Sequence, residues 1–230
     1  MLIRRHQDSM EYLQDPLRQE RGQETAALLQ KLSAPIIDWA LEETASRLET
    51  DEPIFWQERR GQNNSVLLVP KILTIEEGLQ DQTVLQGRSD DRAKGLSRVY
   101  RYTHLDELLQ LQLVVDGTMD LDGFDRPMNP KALAEMEEAD PALFERYYDL
   151  STPLRPSLFS IGALFRHVHG GWGARVGQTS MRASLAYMER WASRPMDLAI
   201  RALTPPGIVV GAGIYKVPKM LQKLREHRLA

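Results

Sequence analysis

A mostly α, α+β fold is predicted by three features of the sequence. Apolar residues recur at steps of three and four along long stretches, which is helical spacing. Only a few short runs read as extended, near 65–75, 111–123 and 208–217. Prolines and glycines punctuate the chain at intervals that suit short helices. Length and composition agree: 230 residues, 42% hydrophobic and 27% charged, make a globular chain with a core of ordinary size.

The elements follow in order. Leu28, Leu29, Leu32, Ile36, Ile37, Ala40 and Leu41 keep helical steps, and Pro35 divides them into two amphipathic helices, about 7–32 and 35–49. "DEPIFWQERRGQNN" (51–64) reads as a short helix or turn that ends in a polar loop. "SVLLVPKILTI" (65–75) reads as a short buried strand. Pro70 has no N–H for a ladder and puts it at an edge or bulge. A helix over about 90–102 would turn Leu96, Val99 and Tyr100 to one side. Thr103 and Asp106 have capping-box spacing, so a fresh helix is expected from 104. Asp116-Gly117 between extended segments predicts a hairpin. Helices over 130–139 and 141–149 each have a proline in the first turn.

"LSTPLRPS" (150–157) is the expected boundary between an acidic region, 1–150, and a basic one, 151–230. Beyond it, "SLFSIGALFRHV" is ambiguous between helix and strand. "GQTSMRASLAYMERWAS" reads as a helix with Met181, Leu185, Met188 and Trp191 inward. A short helix over 195–203, two strands around Gly211-Ala212-Gly213 and a helix from Pro218 complete the chain. Helix, helix, hairpin is also the order of a winged-helix module.

Charge is divided unevenly. Residues 151–230 hold twelve Lys or Arg and three Asp or Glu, a net +9; residues 1–150 hold seventeen and twenty-nine, a net −12. This asymmetry predicts a non-catalytic subunit or adaptor with no cofactor and no metal. Its basic part would grip DNA or RNA phosphates, and its acidic part would meet partner proteins or a second copy. The candidate contacts are Arg166, Trp172, Arg175, Arg182, Arg190, Arg194, Arg201, Lys216, Lys219 and Lys223. Arginine forks suit phosphate, and the aromatic rings suit base stacking. Two alternatives stand beside it: the two halves neutralise each other within one fold, or the chain is a protein–protein scaffold.

"RHVHGGWGAR" (166–175) invites sharper readings. His167-Val168-His169 resembles the histidine motif of HUH endonucleases, with Tyr187 as the implied nucleophile and a divalent metal on the histidines. No third ligand accompanies the pair, and the flanking sequence is helical where that family uses a sheet. The glycines miss the spacing of nucleotide loops. A glycine-flexed loop flanked by Arg166 and Arg175 still suits an anion. "DGTMDLDGFD" places Thr118 and Asn129 where a calcium loop needs acids. No HExxH or GxSxG is present, and no acid stands two residues before Lys71 as a PD-(D/E)xK core requires. The chain has no cysteine, no apolar run near 20 residues and no signal-peptide pattern, so a cytoplasmic protein that does not engage a membrane is expected.

Overall fold

The computed structural model describes residues 2–75, 95–128, 130–168 and 174–211. Helices dominate, and the strands form one antiparallel pair and one parallel pair. The mostly α, α+β class is therefore the observed one.

Helix α1 (Leu2–Leu13) is followed at once by the long helix α2 (Pro16–Leu48). Asp15 caps α2 by accepting the Leu17 N–H at 3.0 Å, and Pro16 occupies the first turn, where its missing N–H costs nothing. The break thus falls at Asp15-Pro16, and α2 runs through Pro35. Pro35 removes the bond to the Lys31 carbonyl, but both residues are exposed, so water takes that acceptor. Ala26, Ile37 and Ala40 are buried, whereas Leu28, Leu32, Ile36 and Trp39 are exposed.

Strands β1 (Ile54–Arg60) and β2 (Val66–Ile72) pair antiparallel, Trp56 opposite Pro70. The stretch expected as a helix or turn is thus a strand. Its expected polar loop is present, with Asn63 and Asn64 at positive φ closing the hairpin. Leu67 and Val69 are buried while Val66 and Leu68 are exposed, so the pair covers the core with one face.

Helix α3 (Leu96–Thr103) buries Tyr100 but leaves Leu96 and Val99 exposed. A 3₁₀ segment (Leu105–Gln110) and helix α4 (Leu111–Val115) follow. The expected capping box is not formed: the Thr103 hydroxyl donates to the Val99 carbonyl, and His104 stands at the helix junction. Nor does Asp116-Gly117 close a hairpin. Gly117, at φ 76°, ends α4, and the N–H groups of Gly117 and Thr118 return to the Val114 and Leu113 carbonyls. A left-handed glycine serves a helix C-terminus as well as a hairpin.

Strand β3 (Asp120–Gly123) instead pairs in parallel with β4 (Ser157–Ser160), after helices α5 (Pro130–Ala139) and α6 (Pro141–Ser151). The ambiguous stretch resolves as β4 and then α7 (Ile161–Val168). Helix α8 (Ala174–Ala186) ends in a π-helical turn, Tyr187–Trp191, and α9 (Arg194–Gly211) follows. Met181, Leu185 and Met188 are buried as expected, but Trp191 is exposed. The wider π turn rotates it off the inward stripe. The first arm of the expected C-terminal hairpin lies within α9. Its second arm and the terminal helix lie outside the described residues.

The core falls into three clusters, two of which include α2. One joins α1 to α5–α9 around Phe124, Tyr147, Met181 and Met188. A second holds Ala26, Leu67, Val69, Leu111 and Leu121, and the third Ala40, Ile72 and Tyr100.

Candidate active site

Between the second and third clusters, the 3₁₀ segment lies against β2 and carries two adjacent carboxylates, Asp106 and Glu107. Both are buried, at 6% and 8% exposure. Unpaired charges are costly at such depth, so their partners decide what they can do.

Three elements bring cations to Glu107. Lys71 shares the inner face of β2 with Leu67 and Val69, and its Nζ donates to Glu107 Oε1 at 2.7 Å. Arg126 follows β3; its Nε donates to the Leu158 carbonyl of β4 at 3.2 Å, and its Nη2 donates to Glu107 Oε2. His104 sits at φ 56°, where its N–H ends α3 on the Tyr100 carbonyl and its own carbonyl accepts the Glu107 N–H at 3.0 Å. The tight 3₁₀ turn stacks residues three apart, which puts His104 Nδ1 2.8 Å from Glu107 Oε2. Burial opposes the Glu107 charge, but Arg126, Lys71 and His104 outweigh it and hold the carboxyl well below the usual range.

Asp106 makes no such ion pair among the described residues. Its Oδ1 has no hydrogen-bond partner among the described residues. Burial pushes its carboxyl up, the Glu107 charge adds to that, and Lys71, His104 and Arg101 pull it back. Two neighbouring carboxylates are thus driven apart, one fixed as an anion and one poised, which is a common signature of acid–base or nucleophilic chemistry.

A second charged cluster joins α1 and α2 to β3 and α9. Arg18 of α2 is buried and donates to Asp120 Oδ2 at 2.7 Å, to Asp197 Oδ2 at 2.8 Å and to the Asp122 carbonyl. Tyr12 and Tyr187 both donate to Asp197, and Arg201 pairs with Asp122. A polar cleft opens beside it, lined in part by Arg21, Glu24, Thr25 and Arg194. Each carboxylate in this cluster meets a cation or a hydroxyl, so the arrangement reads as an internal clasp.

Of the predicted contacts, Arg182, Arg190, Arg194 and Arg201 have described side chains, on α8, the π turn and α9. Arg201 is held by Asp122, and Arg182 is exposed on α8 with Asp140 at 3.9 Å. Arg190 and Arg194 are exposed at the π turn and at the start of α9. Arg166 and Arg175 belong to α7 and α8, but their side chains lie outside the described residues, as do Trp172, Lys216, Lys219 and Lys223. His169 and the His167 side chain are outside them too. Tyr187, the nucleophile implied by the HUH resemblance, is fully buried against Asp197 and faces no open site.

Sequence reasoning passed over Asp106 and Glu107 because acids in a first turn ordinarily serve the helix dipole. The available signal was their neighbours: "HLDELLQL" sets two carboxylates among leucines, where one face must carry them inward.

Residues 25–211 match the bacterial sugar transferase family. Over 193 residues the chain is 30% identical to a UDP-glucose:undecaprenyl-phosphate glucose-1-phosphate transferase of Caulobacter vibrioides, which covers 83% of this chain and 68% of that protein. These likenesses overturn the nucleic-acid adaptor, its DNA or RNA partner, and the scaffold and HUH alternatives. Net charge reports where charge lies, and the asymmetry meant as a polyanion grip is partly spent on internal pairs such as Arg201–Asp122. Among the described residues, no helix is long and apolar enough to cross a membrane. Asp106, Glu107 and every group gathered around them fall inside a match that spans most of the sequence, and the chain belongs to the bacterial sugar transferase family.

Proposed function

We propose that this chain transfers a sugar 1-phosphate from a UDP-sugar to a polyprenyl phosphate, with Asp106 as the nucleophile. The observation that carries the reading is the buried Asp106 carboxyl with a partnerless oxygen beside a Glu107 saturated by cations. The relative's activity supplies the reaction class. In such a transfer the P–O bond to the uridine monophosphate leaving group breaks and a P–O bond to the acceptor forms. A phosphate acceptor is already an anion near neutral pH, with its second pKa at about 6, so a general base has little to remove from it. An unsolvated carboxylate is then of most use in attack on phosphorus, giving an aspartyl–phosphosugar and releasing UMP. The acceptor phosphate oxygen attacks that phosphorus next and returns the carboxylate. Lys71 and Arg126, gathered at Glu107 next to Asp106, are the cations that would neutralise charge on the transferring phosphoryl oxygens.

The test uses UDP-glucose and undecaprenyl phosphate. Asp106→Asn is expected to lower UMP release by roughly 10³-fold or more, the scale of losing a nucleophile. With acceptor withheld, the native protein should gain the mass of a sugar phosphate on the peptide that holds Asp106. Turnover by Asp106→Asn near the native rate overturns the reading.

A further inference from the structure

We propose that His104 is a positioning residue for the carboxylate pair: its Nδ1–H holds Glu107 against Lys71 and Arg126, which keeps the charge beside Asp106 compensated. The inference rests on the reading of Asp106 as nucleophile and goes beyond it, since nothing in the reaction class calls for an imidazole here.

Geometry fixes the ring's role. His104 Nδ1 is 2.8 Å from Glu107 Oε2, and that carboxylate is held ionised by Lys71 and Arg126. Two acceptors at that distance would repel, so Nδ1 carries the hydrogen and donates. Arg126 Nη1 stands 3.4 Å from the same nitrogen and has only hydrogens to offer, so it cannot be the partner of a protonated Nδ1. The backbone commits the ring as well. His104 is in the left-handed region at φ 56°, fastened by its N–H to Tyr100 and by its carbonyl to the Glu107 N–H. The residue therefore meets Glu107 twice, once through the main chain and once through the ring.

Among the described residues, these cations act on the pair. Arg59 of β1 and Lys71 of β2 face Glu107 from the hairpin, Arg126 faces it from beyond β3, and Arg101 of α3 acts on Asp106. His104 is the group on the same turn as both carboxylates. Losing its donor leaves more of the Glu107 charge uncompensated, and that charge raises the proton affinity of Asp106. A nucleophile must be ionised, so the acid limb of kcat should move to higher pH when the donor is lost.

Two substitutions separate this role from a structural one. Asparagine and aspartate both tolerate left-handed backbone and have nearly the same shape. In His104→Asn the amide N–H replaces Nδ1–H; in His104→Asp a carboxylate faces Glu107. With UDP-glucose and undecaprenyl phosphate, His104→Asn is expected to keep kcat within roughly threefold, with the acid limb unmoved. His104→Asp is expected to lose roughly 10–100-fold in kcat with KM for UDP-glucose little changed, and its acid limb should shift upward. If His104→Asp fails to fold, His104→Gly, which suits φ 56°, takes its place with the same expectation.

A titration of the Glu107 carboxyl by ¹³C NMR, assigned with Glu107→Gln, needs no turnover. Glu107 should stay ionised to lower pH in the native and His104→Asn proteins than in His104→Asp. Equal kcat, equal acid limbs and equal Glu107 titrations in the two variants overturn the inference. Turnover by Asp106→Asn overturns the nucleophile reading instead, and the Glu107 titration still reports on His104.

Discussion

Glycine at two buried positions shows how local space sets the sign of a substitution. A Cβ on Gly22, within α2, meets Leu121 Cβ at 3.6 Å, an ordinary contact. Gly22→Ala removes a mid-helix glycine at no steric cost and should stabilise the fold by about 0.5–1 kcal/mol, read as a higher urea midpoint with an unchanged slope. A Cβ on Gly162, in α7, meets Ser184 Oγ at 2.7 Å and Asp125 Cγ at 2.8 Å. Those groups are buried, and Ser184 is tied to the Phe124 carbonyl at 2.9 Å, so neither has room to yield. Gly162→Ala should cost about 1–3 kcal/mol in the same measurement. Arg18 sets the opposite case, a charge whose removal strands others. Arg18→Leu leaves Asp120 and Asp197 without their shared cation and should cost about 3–5 kcal/mol. Equal midpoints for native and Arg18→Leu proteins would show that the clasp adds no stability. None of these three environments is written in its own residue. Gly22 and Gly162 look alike in the sequence, and Arg18 sits in a helix where an exposed arginine is the ordinary expectation.

At the scale of elements, the sequence was legible where local signals act alone. Pro130 and Pro141 open α5 and α6 as their first-turn positions require, and Met181, Leu185 and Met188 fall inward as the helical period demands. It was misread where one signal serves two structures. Asp116-Gly117 suits a hairpin and a helix end alike, and the choice fell to β4, which pairs with β3 from 37 positions downstream, Asp120 with Ser157. Phe55 and Trp56 pass for a short helix until β2 supplies a ladder. Pro35 reads as a boundary, yet α2 continues, because tertiary contacts on both sides, Ala26 in one cluster and Ala40 in another, pin it over its 33 residues. The helix therefore bears an internal proline against its own preference. Pro35→Ala restores a donor to the Lys31 carbonyl and should stabilise by roughly 1–3 kcal/mol, seen as a higher thermal midpoint. A lower midpoint would mean that α2 depends on the local geometry which the proline imposes.

The whole molecule joins an acidic and a basic portion, and charge that looked like a binding surface in the sequence is in part internal glue. Arg18 to Asp197 and Arg201 to Asp122 each link residues far apart in the chain. The active pair was illegible for a related reason. Burial, which separates Asp106 and Glu107 in character, comes from β2, α2 and α3 packing on their turn from elsewhere in the sequence, and the leucines around the pair encode only that the turn faces inward. The same burial gives opposite pH dependences. Glu107 is held below its usual range, so its contribution is present above the unfolded pKa, about 4.3, and fades as pH falls through the lower folded value. Asp106 is raised, so the folded state binds its proton more tightly, and stability is lost as pH rises from about 3.9 through the folded value. Above that value the protein holds an ionised Asp106 at a cost to its own stability, as a functional group often requires. Asp106→Asn deletes that charge while keeping the shape, and it also relieves the repulsion on Glu107. It should raise the thermal midpoint at pH 7 by a few degrees, about the 2–4 °C that 1 kcal/mol gives in a chain of this size. As pH falls through the raised value of Asp106, the native carboxyl becomes neutral like the amide, and the two melting curves should converge. A variant that loses transfer activity, gains stability at pH 7 and gives up that gain in acid identifies Asp106 as a charge kept for chemistry. A variant less stable than the native protein at pH 7 would mean that the ionised carboxylate supports the fold, and the separation of roles between the two acids would fail.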